Sequence, residues 1–146
     1  MKYDMNKETP RIEPLLYFEG NCEEALTIYQ KAFNATVPVM MRYSDADTTN
    51  AEFTLSDENQ NKLIYHAQLD FNGQKLILCD NLFDKQPRGH TIYLGAFFKT
   101  VAAVRYAYDV LSEGAIILSE PKELSYTPCV AGLIDRFGIR WDLMVY

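Results

Sequence analysis

Two imidazoles, one late carboxylate and three thiols are the side chains of this chain whose chemistry could be put to use. His66 sits in Leu63–Phe71, a run whose alternation reads as a strand and puts it on one face with Ile64, Gln68 and Asp70. That mixed polar face suits a cavity wall, where a neutral ring works as general base or hydrogen-bond donor. The plainer use is a histidine satisfied by a neighbouring backbone group. Asp142 closes Ile139-Arg140-Trp141-Asp142 and is either a pocket carboxylate or the partner of Arg140 or Lys75 on a solvated face. His66 and Asp142 together are the candidates for acid–base catalysis, provided one wall holds both. Neither they nor His90 stand at an interval that reads as a metal site, which needs three or four converging ligands. Cys22, Cys79 and Cys129 form no CxxC pair and leave one over in any disulfide scheme, as reduced thiols of a cytoplasmic protein do.

Other chemistries are excluded by what is missing. The chain has no GxGxxG, no P-loop and no GxSxG elbow, so a glycine cradle for nucleotides and a serine-hydrolase triad are unsupported. The net charge is −6 with a pI near 4.9, against the clustered Lys and Arg that phosphate contacts require, so no nucleic-acid partner is expected. Met1–Arg11 is polar and charged, unlike a signal peptide, and no apolar run approaches membrane-spanning length.

The elements that must position these residues follow from periodicity. Residues 1–11 read as an N-terminal arm, and Ile12–Phe18 as a strand with Pro14 near its start. Asn21 is a candidate N-cap, with Glu23 and Glu24 in the first turn and Ala25, Leu26, Ile28, Tyr29, Ala32 and Phe33 on one helical face. Val37–Tyr43 is a strand carrying Pro38. Ser44–Asn61 is a long polar loop with one short element at Ala51–Leu55. Leu63–Phe71 and Lys75–Asp80 form a hairpin around Asn72-Gly73. After a linker at 81–90 the order repeats: a strand at Thr91–Phe98, a helix at Val101–Glu113 ending at Gly114, a strand at Ala115–Ser119, a loop at Glu120–Pro128 and a hairpin from Val130 to Tyr146. The repeat is visible residue by residue. Leu69-Asp70-Phe71-Asn72-Gly73 falls on Ile134-Asp135-Arg136-Phe137-Gly138, Lys75 on Arg140 and Leu76 on Trp141.

The reading is an α+β chain of two βαβββ modules, 12–80 and 91–146, forming a concave, mostly antiparallel sheet. Each module exposes an apolar sheet face that must be covered by the other module or by a second chain. Trp141, opposite Asp142, packs under a helix, and Phe18 and Tyr93 are aromatic candidates for an apolar pocket or for the core.

This order, with Pro14-Leu15-Leu16-Tyr17-Phe18, Cys22-Glu23-Glu24-Ala25-Leu26, His66-Ala67, Glu113-Gly114 and Asp135-Arg136-Phe137-Gly138-Ile139-Arg140-Trp141, resembles the vicinal oxygen chelate superfamily of glyoxalase I, bleomycin-resistance proteins and extradiol dioxygenases. Within it, the chain is similar to the PhnB-like branch. The resemblance implies a cavity on the concave sheet, in many members completed by a homodimer partner. In its metal-dependent members it also implies ligands on the first and last strands of each module. Carried over, those positions fall on Pro14, near Ile77, on Thr91 beside His90, and on Asp142, which alone keeps a donor side chain. The resemblance therefore points to a small-molecule binding protein with a metal-free cavity and no cofactor, whose ligand-binding residues are Phe18, His66, Tyr93, Arg140 and Asp142. The alternatives are a metal-dependent glyoxalase- or dioxygenase-like enzyme using Asp142 with a histidine and a divalent metal, and a metal-free enzyme using His66 and Asp142.

Overall fold

Alternation along the last strand explains how the chain is layered. Trp141, Leu143 and Val145 are buried, whereas Arg140, Asp142 and Met144 between them are only half-buried, so one face of the strand meets a core and the other does not. The computed structural model, which describes residues 9–46, 49 and 53–146, has two four-stranded sheets, in which the central strands β4 and β7 are buried along most of their length.

Sheet A is built from β1 (Leu15–Phe18), β2 (Thr36–Arg42), β3 (Ile64–Phe71) and β4 (Gln74–Asp80), in the order β1-β4-β3-β2. Sheet B is built from β5 (Leu94–Phe98), β6 (Ile116–Leu124), β7 (Thr127–Ile134) and β8 (Arg140–Val145), in the order β5-β8-β7-β6. In each, the first strand runs parallel to the last and the other pairs are antiparallel. Helix α1 (Cys22–Phe33) follows β1, a single turn α2 (Glu58–Asn61) precedes β3, and α3 (Val101–Ser112) follows β5. This is the α+β, twofold βαβββ arrangement the sequence predicts, with the eight strands divided between two sheets.

The halves superpose strand for strand. Leu16 pairs with Leu78 as Ala96 pairs with Leu143, which makes the strand-one residues equivalent 80 positions apart and the last-strand residues 65 apart. Both long helices end on a left-handed residue, Asn34 at φ 51° and Gly114 at φ 72°. The helix-facing sides of both sheets share one core with α1 and α3. Phe33 of α1 stacks on Phe98 at 6.2 Å and meets Trp141 at 4.8 Å, so the first helix also packs against the second sheet. Leu69, Leu78, Leu133 and Leu143 have no exposed surface, a burial worth roughly 1.5–3 kcal/mol for each side chain.

Three expectations about elements change. The Glu120–Pro128 loop is strand: β6 continues to Leu124 and β7 begins at Thr127, because β6 is a sheet edge, where Pro121 needs no ladder partner, and irregular register absorbs the rest. The first strands of the two halves begin at Leu15 and Leu94, later than expected. The long loop contains α2 and a 3-10 turn at Tyr43–Asp45. Residues 1–8 of the arm and the start of the Ala51–Leu55 element lie outside the described residues.

Candidate functional site

The Asp-x-x-Gly turns that carry the sequence repeat are structural, and they have diverged. Asp70 Oδ1 accepts from the Gly73 amide at 2.6 Å at the surface. Its counterpart Asp135 is buried: Oδ1 accepts from the Phe137 and Ile139 amides at 2.9 and 3.0 Å, and Oδ2 accepts from the Tyr29 hydroxyl at 2.6 Å and Trp141 Nε1 at 2.9 Å. One carboxylate closes a turn and ties α1 to β8. Burial and the Asp135 charge hold the Tyr29 hydroxyl well above its ordinary pKa. Asp80, also buried, accepts from the Gly20 and Cys22 amides with Oδ1 and from the Ile64 amide with Oδ2, fastening the start of α1 to sheet A. Burial pushes its carboxyl up while the three amides pull it back. Burial also pushes up the thiols of Cys22 and Cys79, the latter to about 11, so neither is an activated nucleophile.

The sheet faces turned away from the helices are left for function. On sheet A this face carries Leu15 and Tyr17 of β1, His66, Gln68 and Asp70 of β3, and Lys75, Ile77 and Cys79 of β4. On sheet B it carries Tyr93, Gly95 and Phe97, then Arg140, Asp142 and Met144, then Val130, Gly132 and Ile134. Apolar side chains on it are uncovered: Leu15 is 60% exposed, Tyr17 50%, Phe97 60% and Ile116 63%.

Register shows which strand-one residues neighbour the positions implied by the resemblance. Ile77 pairs with Leu15, and Asp142 with Gly95, so on the open faces the strand-one residues beside them are Leu15 and Gly95, whereas Pro14 and Thr91 precede β1 and β5. Leu15, Ile77 and Gly95 have no donor side chain. Whether one chain or two bring these positions together, Asp142 is the only ligand among them, and the set does not fit a divalent metal. No group of three or more His, Cys, Asp and Glu that could hold a metal occurs among the described residues.

The candidate residues divide. Arg140 and Tyr93 meet directly, the guanidinium carbon 4.1 Å from the ring centroid. Asp142 stands on the same face two residues from Arg140, yet the two make no ion pair. Phe18 is a correction. It is 1% exposed and packs edge-on against Phe137 at 5.8 Å, because its parity in β1 points it under the helices, and Tyr17 takes the open face. His66 lies on sheet A, with Gln68 Nε2 at 3.2 Å from its Nε2, so that ring nitrogen is already engaged. It does not share a face with Ile64: the register with β2 slips between Arg42–Ile64 and Met41–His66, turning Ile64 into the core. His66 and Asp142 stand on different sheets. His90 is at the turn, its Nε2 3.3 Å from the Gly138 carbonyl.

Two glycines escaped sequence reasoning. Gly95 and Gly132 flank Asp142 on the two neighbouring strands, and a Cβ at Gly132 would lie 3.2 Å from Asp142 Oδ1. At Gly95 it would meet the Phe97 ring at 3.1 Å, so that ring folds over the glycine. The signal available was glycine inside two strand patterns, a mark of close approach. A groove of about 980 Å³ lies between Arg11–Pro14, the Asn72-Gly73 turn and β5; Gly95 and Phe97 line it, but His66, Arg140 and Asp142 do not.

No protein-family model and no curated protein matches the chain. Solved structures do. The PhnB protein of Bacillus cereus is 21% identical, with a TM-score of 0.75 over 94% of this chain and 100% of that one. A glyoxylase/bleomycin resistance protein/dioxygenase domain from Frankia sp. EAN1pec is 15% identical (TM-score 0.60, 95% and 93% covered). The fosfomycin resistance protein FosX of Listeria monocytogenes, complexed with Mn(II) and sulfate, is 10% identical (TM-score 0.61, 95% and 93% covered). At these identities the likeness is one of fold: the chain has the two-module glyoxalase/bleomycin-resistance architecture.

Proposed function

We propose, taking that fold as the premise, that the chain is a PhnB-like member of the vicinal oxygen chelate superfamily that binds a small molecule in a metal-free cavity. In this reading two copies form a homodimer, so that the open face of sheet A in one copy is closed by sheet B of the other. Buried, reduced thiols suit work in the cytoplasm. The observation that carries the reading is the pair of open faces, which leave Leu15, Tyr17, Phe97 and Ile116 uncovered and carry Leu15, Ile77, Gly95 and Asp142 at the four ligand positions. Exposed large apolar side chains gathered on one face suit an interface or a ligand-binding site, and a pair of such faces on one chain is what twofold symmetry uses. Inside such a cavity Tyr17, Tyr93 and Phe97 supply flat apolar contact, while Arg140, Asp142 and His66 supply orientation.

The test combines sedimentation with elemental analysis. A homodimer at micromolar concentration with no stoichiometric metal, before or after titration with nickel, zinc, manganese and iron(II), is the expected result. A monomer would remove the shared cavity. Near-stoichiometric metal that disappears in Asp142→Ala would overturn the metal-free reading in favour of a metal-dependent glyoxalase- or dioxygenase-like enzyme; the fosfomycin resistance protein FosX, of similar fold, is complexed with Mn(II).

A further inference from the structure

We infer that Arg140 and Asp142 recognise the two ends of a zwitterionic aromatic ligand, an anionic group on Arg140 and a protonated amine on Asp142. This rests on the cavity proposed above and names the class of ligand it takes.

Among the described residues Arg140 has no counterion. One face of its guanidinium lies on Tyr93 at 4.1 Å, its Nε is buried without a hydrogen-bond partner, and no carboxylate of the described residues comes within ion-pair distance. A buried donor left unmet is costly, and the planar fork of arginine matches a carboxylate or phosphate edge-on while its face stays stacked. Asp142 is the complement. It likewise makes no ion pair among the described residues; Gly132 on one flanking strand puts no side chain against its Oδ1, and on the other the Phe97 ring folds over Gly95 and brings an aromatic surface beside it. As the lone donor among the four fold positions it suits a single ammonium better than a metal. The two groups are two residues apart on one strand face, a spacing of about 6–7 Å. Their failure to pair follows from Arg140 folding back on Tyr93. Tyr93 and Phe97 on the adjacent strand provide aromatic surface on the same face, 43% and 60% exposed.

Calorimetry with four probes tests this: 4-(aminomethyl)benzoate, whose charges match the spacing, and benzoate, benzylamine and benzyl alcohol, which carry one charge or none. The zwitterion is expected to bind at least about 10-fold more tightly than the others, as one charge-assisted contact warrants. Arg140→Met is expected to weaken the zwitterion and benzoate about 10-fold, leaving benzylamine unchanged. Asp142→Asn does the reverse for the single-charge probes and also weakens the zwitterion. Arg140→Lys, which keeps charge without the fork, recovers only part of the loss. Circular dichroism and Trp141 emission confirm that each variant is folded. If a dimer binds benzyl alcohol as well as the zwitterion, or if the variants change nothing, this inference falls and the cavity stands. A monomer that binds no probe overturns both. Stoichiometric manganese on Asp142 overturns the assignment of that carboxylate to an amine.

Discussion

Removing the Tyr29 hydroxyl tests whether the two halves are locked together by one buried carboxylate. Asp135 accepts four hydrogen bonds, two from its own turn and two from side chains in α1 and β8. Tyr29→Phe deletes only the 2.6 Å bond, since the ring contacts with Phe18, Phe137 and Trp141 do not use the hydroxyl. A hydrogen bond to a charged group contributes about 1.5–3 kcal/mol, which for a chain of this size lowers Tm by about 3–12 °C. Asp135→Asn is worse. If the amide nitrogen takes the Oδ2 position it faces the indole N–H, which cannot reverse, and in the other orientation it faces two backbone amides. Either way a buried donor goes unmet, and the expected loss is about 3–5 kcal/mol. Urea unfolding followed by the emission of Trp141 measures both, because the only tryptophan is a member of the network. In the double-mutant cycle the two substitutions couple by about 1–2 kcal/mol. A Tyr29→Phe protein within about 0.5 kcal/mol of the parent, together with a near-neutral Asp135→Asn, would refute the idea of a lock.

Two further outcomes follow from the buried groups. Asp80→Asn sets an amide among three backbone donors at the start of α1 and β3, and thermal unfolding should register a loss of about 2–4 kcal/mol; an unchanged transition would show that these amides are satisfied otherwise. Cys79 is held protonated by burial, then by the Asp80 charge, so its stabilising contribution is full below pH 9.0 and is lost as pH climbs to about 11. The urea midpoint should fall across that range, and less steeply in Cys79→Ala; identical slopes would reject the assignment.

The repeat, the two βαβββ units and the alternate burial of β8 were legible because period-two and period-3.6 patterns are local. Register was not. Whether His66 shares a face with Ile64 depends on one irregularity at Tyr65, and whether Phe18 or Tyr17 meets the cavity depends on a single step of parity in a four-residue strand. Asp135 read as part of a family motif, but its burial and its reach to Tyr29 involve residues 106 positions apart, beyond any pattern in the chain. Arg140 and Tyr93 could be proposed singly. Their stacking, and the glycines beside Asp142, depend on which strands are neighbours.

The two repeat spacings locate the difference between the modules. A spacing of 80 residues holds from β1 to the start of the second strand and one of 65 governs the closing hairpins, so the units differ in length at one place, between β2 and β3. The corresponding joint between β6 and β7 is the two-residue turn Ser125-Tyr126. Residues 43–63 therefore carry the 15 residues (80 less 65) by which the first module exceeds the second, outside the plan that the two modules share.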